Sequence, residues 1–175
     1  HLALGRTAEL LGPQVATLQM VIGGGCAGLL AGLLAADRTT ADCDVYWPGD
    51  AGQWDLIAEA ARATALQLGL PQGWLNRDCS IFAWCLPIGW QSRCVRVAAF
   101  GSLEVLRLSR FDLIAAKVIS APRRPQDLED LFAIKPLRAE LDEVERHIDR
   151  LESEDLDRRE YVAERAVVAA LRGAP

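Results

Sequence analysis

The stretch Leu18-Gln19-Met20-Val21-Ile22-Gly23-Gly24-Gly25-Cys26-Ala27-Gly28 decides the fold, because an apolar run here enters a glycine turn and continues as small residues. The apolar run predicts a buried strand, and Cys26 to Ala36 predicts a tightly packed helix. Thr39 to Trp47 predicts a second strand. Asp42 and Asp44 share one face of it, since successive side chains of a strand point to opposite sides. The order is therefore strand, glycine turn, helix, and a strand with two carboxylates.

The rest of the chain predicts a mixed sheet followed by helices. Further strands are predicted at Ser80–Leu86, Arg93–Phe100 and Leu103–Leu108, and helices at 2–11, 51–68 (capped by Asp50), 110–120 (capped by Ser109), 125–132, 136–152 and 155–171. We therefore predict an α/β fold of the α+β type with a mixed sheet. Residues 1–121 form its α/β domain, and residues 122–175 form a helical C-terminal part packed on it.

Composition limits the classes of function. A chain of 175 residues, 51% hydrophobic and 25% charged, can bury a core as one domain. Its net charge of −5 excludes a broad basic surface for duplex nucleic acid. The five cysteines include no CxxC pair, which argues against a zinc site or a disulfide framework. The apolar stretch Leu18–Ala36 is broken by glycines, and the start carries no basic segment, so we expect a cytoplasmic protein without a membrane partner.

The glycine turn followed by Asp-x-Asp indicates phosphate chemistry. Glycines let backbone N–H groups approach phosphates closely, and two carboxylates on one strand face can share Mg²⁺ bridging a nucleoside triphosphate (NTP). Gly23 to Gly28 also fits GxGxxG, the dinucleotide-binding motif of Rossmann proteins. That alternative requires a second strand that ends in a single acid, whereas Asp42 and Asp44 come as a pair early in theirs. For Asp-x-Asp alone, a solvated strand edge is the simpler interpretation.

Two blocks carry a family resemblance. Gly24-Gly25-Cys26-Ala27 and Arg38-Thr39-Thr40-Ala41-Asp42-Cys43-Asp44 resemble the signature of the DNA polymerase β nucleotidyltransferase superfamily, and particularly of bacterial relatives of the AbiEii-type toxins. The resemblance continues at 73–76, 108–117 and 124–131, and so covers roughly residues 15 to 140. It implies a nucleotidyltransferase-like fold and Mg²⁺-dependent transfer of a nucleotidyl group from an NTP to an RNA or protein acceptor.

The resemblance also implies roles for individual residues. Asp42 and Asp44 would be the catalytic carboxylates and metal ligands. The nucleotide would be bound by Gly24, Gly25, Arg38, Thr40 and Lys117, with support from Arg124 and Asp127. A mid-helix Lys117 could instead extend to solvent. Arg124 and Asp127 could, with Asp130, form a salt-bridge cluster at a helix start, where an acid also suits the helix dipole.

The sequence departs from the superfamily pattern at a third carboxylate. Active members generally place one on a later strand, but the predicted strand Ser80–Leu86 has none and carries Ala83 at its middle. Asp78 and Glu104 are the remaining candidates. Gly25 also replaces the usual hydroxyl residue of the turn. These departures favour an alternative, a catalytically weakened module with a binding or regulatory role and a protein partner in a toxin–antitoxin pair.

The five tryptophans give little further indication of function. They are Trp47, Trp54, Trp74, Trp84 and Trp90. A tryptophan on a strand or helix is more often part of the core than a platform for a nucleobase. We therefore expect these side chains to be core residues.

Overall fold

The computed structural model describes residues 2–12, 17–40, 42–46, 51–154 and 159–174, which form a five-stranded sheet surrounded by helices. The strands are β1 Leu18–Ile22, β2 Cys43–Tyr46, β3 Leu75–Asn76, β4 Val95–Phe100 and β5 Leu103–Arg107. The α-helices are α1 Leu2–Leu11, α2 Gly24–Leu30, α3 Ala51–Leu68, α4 Arg110–Ser120, α5 Pro125–Ile134, α6 Arg138–Glu154 and α7 Val162–Gly173. Two segments, Asp78–Cys85 and Trp90–Arg93, are 3₁₀-helical.

The sheet is mixed, with strand order β3-β2-β1-β5-β4. β1 runs parallel to β5 and antiparallel to β2, and β2 runs parallel to β3. The predicted α/β fold with a mixed sheet is therefore confirmed. The Rossmann alternative is wrong, because a dinucleotide fold needs parallel strands on either side of the glycine turn, and β1 and β2 are antiparallel.

One apolar core extends from the sheet into the C-terminal helices. Met20, Ile22, Val105 and Ile114 are fully buried, and the same core includes residues of α6 and α7. Helix α4 lies at its centre and contacts α2, α5, α6 and α7. Ser109 caps α4 as predicted, since its hydroxyl accepts a hydrogen bond from the Asp112 N–H at 3.1 Å. None of the helices among the described residues is long and apolar enough to span a bilayer.

Several predicted elements differ from the structure. The second strand, predicted from Thr39, begins at Cys43, and the helix predicted at 155–171 begins at Val162. The strand predicted at Ser80–Leu86 is wrong: this run lies in the 3₁₀-helical segment Asp78–Cys85, where Ile81, Phe82 and Trp84 are exposed. Its continuous apolar character could not distinguish a strand from a tight helix. The helix predicted to reach Ala36 ends at Leu30, and Gly32 follows with a φ of 64°. The proposed helix cap at Asp50 lies outside the described residues.

Candidate active site

The glycine turn and the second acid of Asp-x-Asp are packed directly on each other. The Gly23 N–H donates to the Asp44 carbonyl oxygen at 2.9 Å, which continues the antiparallel pairing of β1 and β2. Gly24 has a φ of 57°, and a side chain at this position would collide with the Asp44 carboxylate. Only glycine combines this backbone conformation with so close an approach. The Asp44 carboxylate therefore lies against the backbone of the turn.

Asp42 and Asp44 form an acidic edge at the start of β2. Burial raises the pKa of Asp44, and the charge of Asp42 raises it further, while Arg124 and a hydrogen bond from Asn76 act in the opposite direction. Asp42 is exposed, and the Thr40 hydroxyl lies 3.3 Å from its carboxylate. Within the described residues, neither acid belongs to an ion pair. Two neighbouring carboxylates without a cation are chemically suited to bind one.

Asn76 also belongs to the candidate site, although no role was predicted for it from the sequence. It pairs with Asp44 across β2 and β3, and its amide forms a hydrogen bond with that carboxylate. Its Oδ1 atom accepts a hydrogen bond from the Asp78 N–H at 3.0 Å. The strand next to Asp44 is therefore β3, and it presents an amide rather than an acid. A two-residue strand gives too short a pattern to be predicted, so only the pairing identifies it.

The two remaining candidates for a third carboxylate occupy different places. Glu104 pairs with Gln19 in the β1–β5 register and forms an ion pair with Arg96. It lies four residues along β1 from Gly23, a separation of roughly 13 Å at the usual strand rise. Asp78 is exposed and lies nearer, because its N–H donates to Asn76, the residue that pairs with Asp44.

The loop between α2 and β2 brings Arg38 and Thr40 to the glycine turn. A side chain at Gly25 would lie 3.5 Å from the Thr40 hydroxyl and 3.9 Å from an Arg38 guanidinium nitrogen. Arg38 also donates to Asp130, with Nε 3.0 Å from Oδ1 and Nη2 3.4 Å from Oδ2. Arg38 therefore connects the glycine turn to helix α5.

Arg38 belongs to a buried charge cluster with Lys117, Asp127 and Asp130. The Lys117 ammonium, only 2% exposed, donates to Asp127 at 2.6 Å and to Asp130 at 2.7 Å. Burial alone would raise the pKa of Asp130, but the hydrogen bonds from Arg38 and Lys117 bring it below its ordinary value. Two of the three ammonium donors of Lys117 are thus used by carboxylates. The alternative in which Lys117 extends to solvent is therefore wrong, because its side chain is buried and paired with Asp127 and Asp130.

A cavity of about 490 Å³ opens beside these groups. Its wall includes Gly24, Asp44, Lys117, Arg124 and Asp127, together with apolar residues of α4 and of the segment Asp78–Cys85. Arg124 lies at its rim, 62% exposed, with its Nε 3.6 Å from Asp127. The glycine turn, one carboxylate of the acidic edge and two cations therefore face the same space. Of the site residues named above, Gly24, Asp44, Lys117, Arg124 and Asp127 line the cavity, whereas Gly25, Arg38, Thr40 and Asp42 do not.

A family model described as "Nucleotidyltransferase of unknown function (DUF6036)" matches residues 2–165. The chain belongs to this family. The match begins in α1 and ends in α7, so the family module includes the C-terminal helices as well as the sheet. No curated protein and no solved structure matches the chain. The family supports the nucleotidyltransferase-like assignment, whereas closeness to AbiEii-type toxins stays a prediction.

The carboxylate oxygens at this site are suited to an Mg²⁺ ion that is bound partly by the protein and partly by a substrate. Among the described residues, no group of three or more His, Cys, Asp or Glu side chains could hold a metal ion. Mg²⁺ is commonly bound through one or two carboxylates, with substrate phosphates and water completing its shell. Asp42 and Asp44 supply two such carboxylates, and Gly24 of the adjacent turn lines the cavity. The donor set is suited to a metal that arrives with a triphosphate.

Proposed function

We propose that this protein is a Mg²⁺-dependent nucleotidyltransferase that moves a nucleotidyl group from an NTP to an RNA or protein acceptor. The observation that carries the proposal is the contact of the Asp44 carboxylate with Gly24, at the mouth of a cavity that also exposes Arg124. This contact places a metal-binding oxygen beside backbone that phosphates can approach. The family match supports the same class of reaction.

Each group at the site has a proposed task. Asp42 and Asp44 would hold Mg²⁺, which neutralises charge as pyrophosphate leaves. Backbone N–H groups of Gly24 and Gly25 would bind phosphate oxygens, because a glycine has no side chain of its own that hinders this approach. Arg124 would pair with the triphosphate from the cavity rim, and Lys117 has one remaining donor for it.

Arg38, Thr40 and Asp127 would position these groups. Arg38 joins the turn to Asp130, and Thr40 holds the Asp42 segment through a hydrogen bond to its carbonyl oxygen at 3.0 Å. Asp127 orients Lys117 and also accepts a hydrogen bond from Ser120 at 2.6 Å. A rigid support of this kind keeps reacting groups in the productive arrangement.

A second candidate is a catalytically weakened module that binds nucleotide in a regulatory role, with a protein partner in a toxin–antitoxin pair. The observation favouring it is Asn76, an amide on the strand beside Asp44. Without a carboxylate there, the acceptor lacks an evident general base, and loss of such a base typically costs about 10²–10⁴-fold in rate. Nucleotide binding would then survive better than transfer.

Thermal unfolding with each NTP tests the binding step. We expect an NTP to raise the melting temperature only when Mg²⁺ is present, because the acidic edge repels a bare triphosphate. Asp42→Asn should remove the shift, whereas Asp55→Asn, the same change at an exposed site on α3, should keep it. Stabilisation without metal, or no response to any NTP, contradicts the proposal.

Incubation with labelled NTPs, total RNA and cell protein then separates the two candidates. Label transferred by the wild type and lost in Asp42→Asn identifies the enzyme and its acceptor class. Binding without transfer identifies the weakened module.

A further inference from the structure

The cavity beside Asp44 is mostly apolar away from its charged rim. One wall is the 3₁₀-helical segment, through Cys79, Phe82, Trp84 and Cys85, and the facing wall is the apolar side of helix α4. A volume of about 490 Å³ lies within the range of small-molecule sites. Such a space is larger than bound phosphates and metal require, so another part of the substrate must account for it.

The cavity extends continuously away from the acidic edge. Its wall includes Asp44 and Arg124 together with Cys79 at the start of the 3₁₀-helical segment, and Cys85 at the end of that segment together with Arg123 and Arg159. Six residues of a 3₁₀-helix span about 12 Å. A ligand held at Asp44 by its phosphates therefore has an apolar wall of this length beside it.

Two aromatic rings on this wall remain exposed. Trp84 is 56% and Phe82 53% exposed, although both line the cavity. Exposed aromatic surface next to a phosphate-binding turn is the usual form of a stacking platform, because every nucleobase has a π-face. Ile81 is 72% exposed on the same segment but does not line the cavity. It therefore offers a control position.

The polar side chains of the wall are mostly engaged elsewhere. The Ser120 hydroxyl donates to Asp127, and Arg159 forms an ion pair with Glu164 while its guanidinium lies 4.4 Å from the Tyr161 ring centroid. No Asn or Gln is part of the wall among the described residues. Arg123 is exposed there, and its guanidinium donors can meet the acceptor atoms that every nucleobase carries. Such a wall can accommodate any of the four bases.

The wall is also fixed in place before any ligand binds. His147 lies 2.8 Å from the Cys85 carbonyl oxygen through Nε2, and Arg150 approaches its Nδ1 at 3.1 Å. Because Arg150 can only donate, Nδ1 accepts and Nε2 carries the proton. The Ser80 hydroxyl donates to the Val45 carbonyl oxygen at 2.8 Å, which ties the other end of the segment to β2.

We infer that this cavity is the nucleobase subsite, and that it holds the base by burial and by stacking on Trp84 and Phe82 without selecting among the four bases. The inference rests on the proposed function, since the triphosphate at Gly24 and Asp44 directs the base into the cavity. The exposed rings, the continuity with the acidic edge and the cations at both ends favour a nucleotide over an uncharged apolar ligand.

Calorimetric titration with ATP, GTP, CTP, UTP and inorganic tripolyphosphate, each with Mg²⁺, tests this inference. The four NTPs should bind within about tenfold of one another, and at least about tenfold more tightly than tripolyphosphate. Trp84→Ala should remove most of that advantage while leaving tripolyphosphate affinity unchanged. Trp84→Phe, which keeps a ring, and Ile81→Ala, which lies off the wall, should retain it. Thermal unfolding of each variant checks that it is folded.

Four results would overturn the inference. Equal affinity for tripolyphosphate and NTPs, or an unchanged NTP affinity in Trp84→Ala, would assign the cavity to another occupant such as a protein partner and leave the proposed function intact. A preference for one NTP above about 100-fold would show that a base edge is read. Binding of neither NTP nor tripolyphosphate would end the proposed function together with the inference.

Discussion

Two groups of charged residues lie on either side of the glycine turn, and they differ in how their charges are compensated. In the buried charge cluster, Lys117 and Arg38 satisfy both carboxylates through hydrogen bonds of 2.6 to 3.4 Å. At the acidic edge, Asp42 and Asp44 face each other's charge, and the described residues offer them no ion pair. The cluster is paired as folded, whereas we propose that the edge is completed by a bound cation.

The comparison distinguishes residues that hold the structure from residues that await a ligand. A buried charge is retained only when its partners compensate its lost hydration. Like charges kept close together without such partners reduce stability, and they are typical of functional sites. Lys117 and Asp44 both line the cavity, yet replacing them should change stability in opposite directions.

Replacing Lys117 gives the largest expected effect. Lys117→Met removes the cation between Asp127 and Asp130 and leaves two buried carboxylates with incomplete compensation. Breaking a buried pair in this way costs about 3–5 kcal/mol. The free energy of unfolding in urea measures this cost. Arg6→Met, which removes an exposed partner of Glu9, should change stability by less than about 1 kcal/mol. Similar effects for the two variants would show that the cluster does not support the fold.

Replacing Asp44 should have a smaller effect of opposite sign. The folded-state pKa of Asp44 is raised above its unfolded value by burial and by Asp42, so the native state loses stability as pH rises through this range. Asp44→Asn mimics the protonated carboxyl. It should therefore raise the melting temperature of the metal-free protein at neutral pH, and this gain should vanish at low pH, where Asp44 itself is protonated.

Thermal unfolding from about pH 3 to pH 8 measures this dependence, with Asp55→Asn as the exposed control. Mg²⁺ with NTP should reverse the order, because only the wild type can bind it. A metal-free Asp44→Asn variant that is less stable than the wild type at neutral pH would show that the carboxylate is compensated after all.

Asn76→Asp, which adds a third acid to the acidic edge, has the smallest expected effect on stability. Asn76→Asp replaces the hydrogen bond to Asp44 with a like charge and should lower metal-free stability by about 1 kcal/mol. Mg²⁺ should restore it and bind more tightly than in the wild type, as calorimetry would show. Asn76→Ala removes the amide without adding charge. If both variants bind Mg²⁺ equally, the side chain at 76 does not face the metal.

Much of the fold could be predicted from the sequence because its patterns are local. The hairpin around Gly101 alternates clearly, the apolar run Leu18–Ile22 leads directly into a glycine turn, and the cap at Ser109 has its own chemical signature. The strand predicted at Ser80–Leu86 had no such pattern. A third carboxylate was therefore expected on the wrong segment, because the strand that pairs with β2 at Asp44 is β3 and not the segment around Ala83.

Only those parts of the candidate site that depend on local sequence patterns could be predicted. Asp42, Asp44 and Gly24 are close in sequence or share a strand face, whereas the pairing of Lys117 with Asp130 and Arg38 depends on packing between helices. The tryptophans show the same limit. Trp54, Trp74 and Trp90 are buried as expected, but Trp84 is exposed at the cavity, and Trp47 lies outside the described residues.

Crystals grown with a non-hydrolysable NTP and Mn²⁺ test the central claim most directly, because Mn²⁺ can replace Mg²⁺ among oxygen ligands and scatters anomalously. We predict an anomalous peak bound by Asp42 and Asp44, with the triphosphate on the Gly24-Gly25 backbone and Lys117 still paired with Asp127 and Asp130. A metal bound at Asp127 or Asp130, or a triphosphate that displaces Lys117 from both carboxylates, would contradict the division into a structural cluster and a ligand-binding edge.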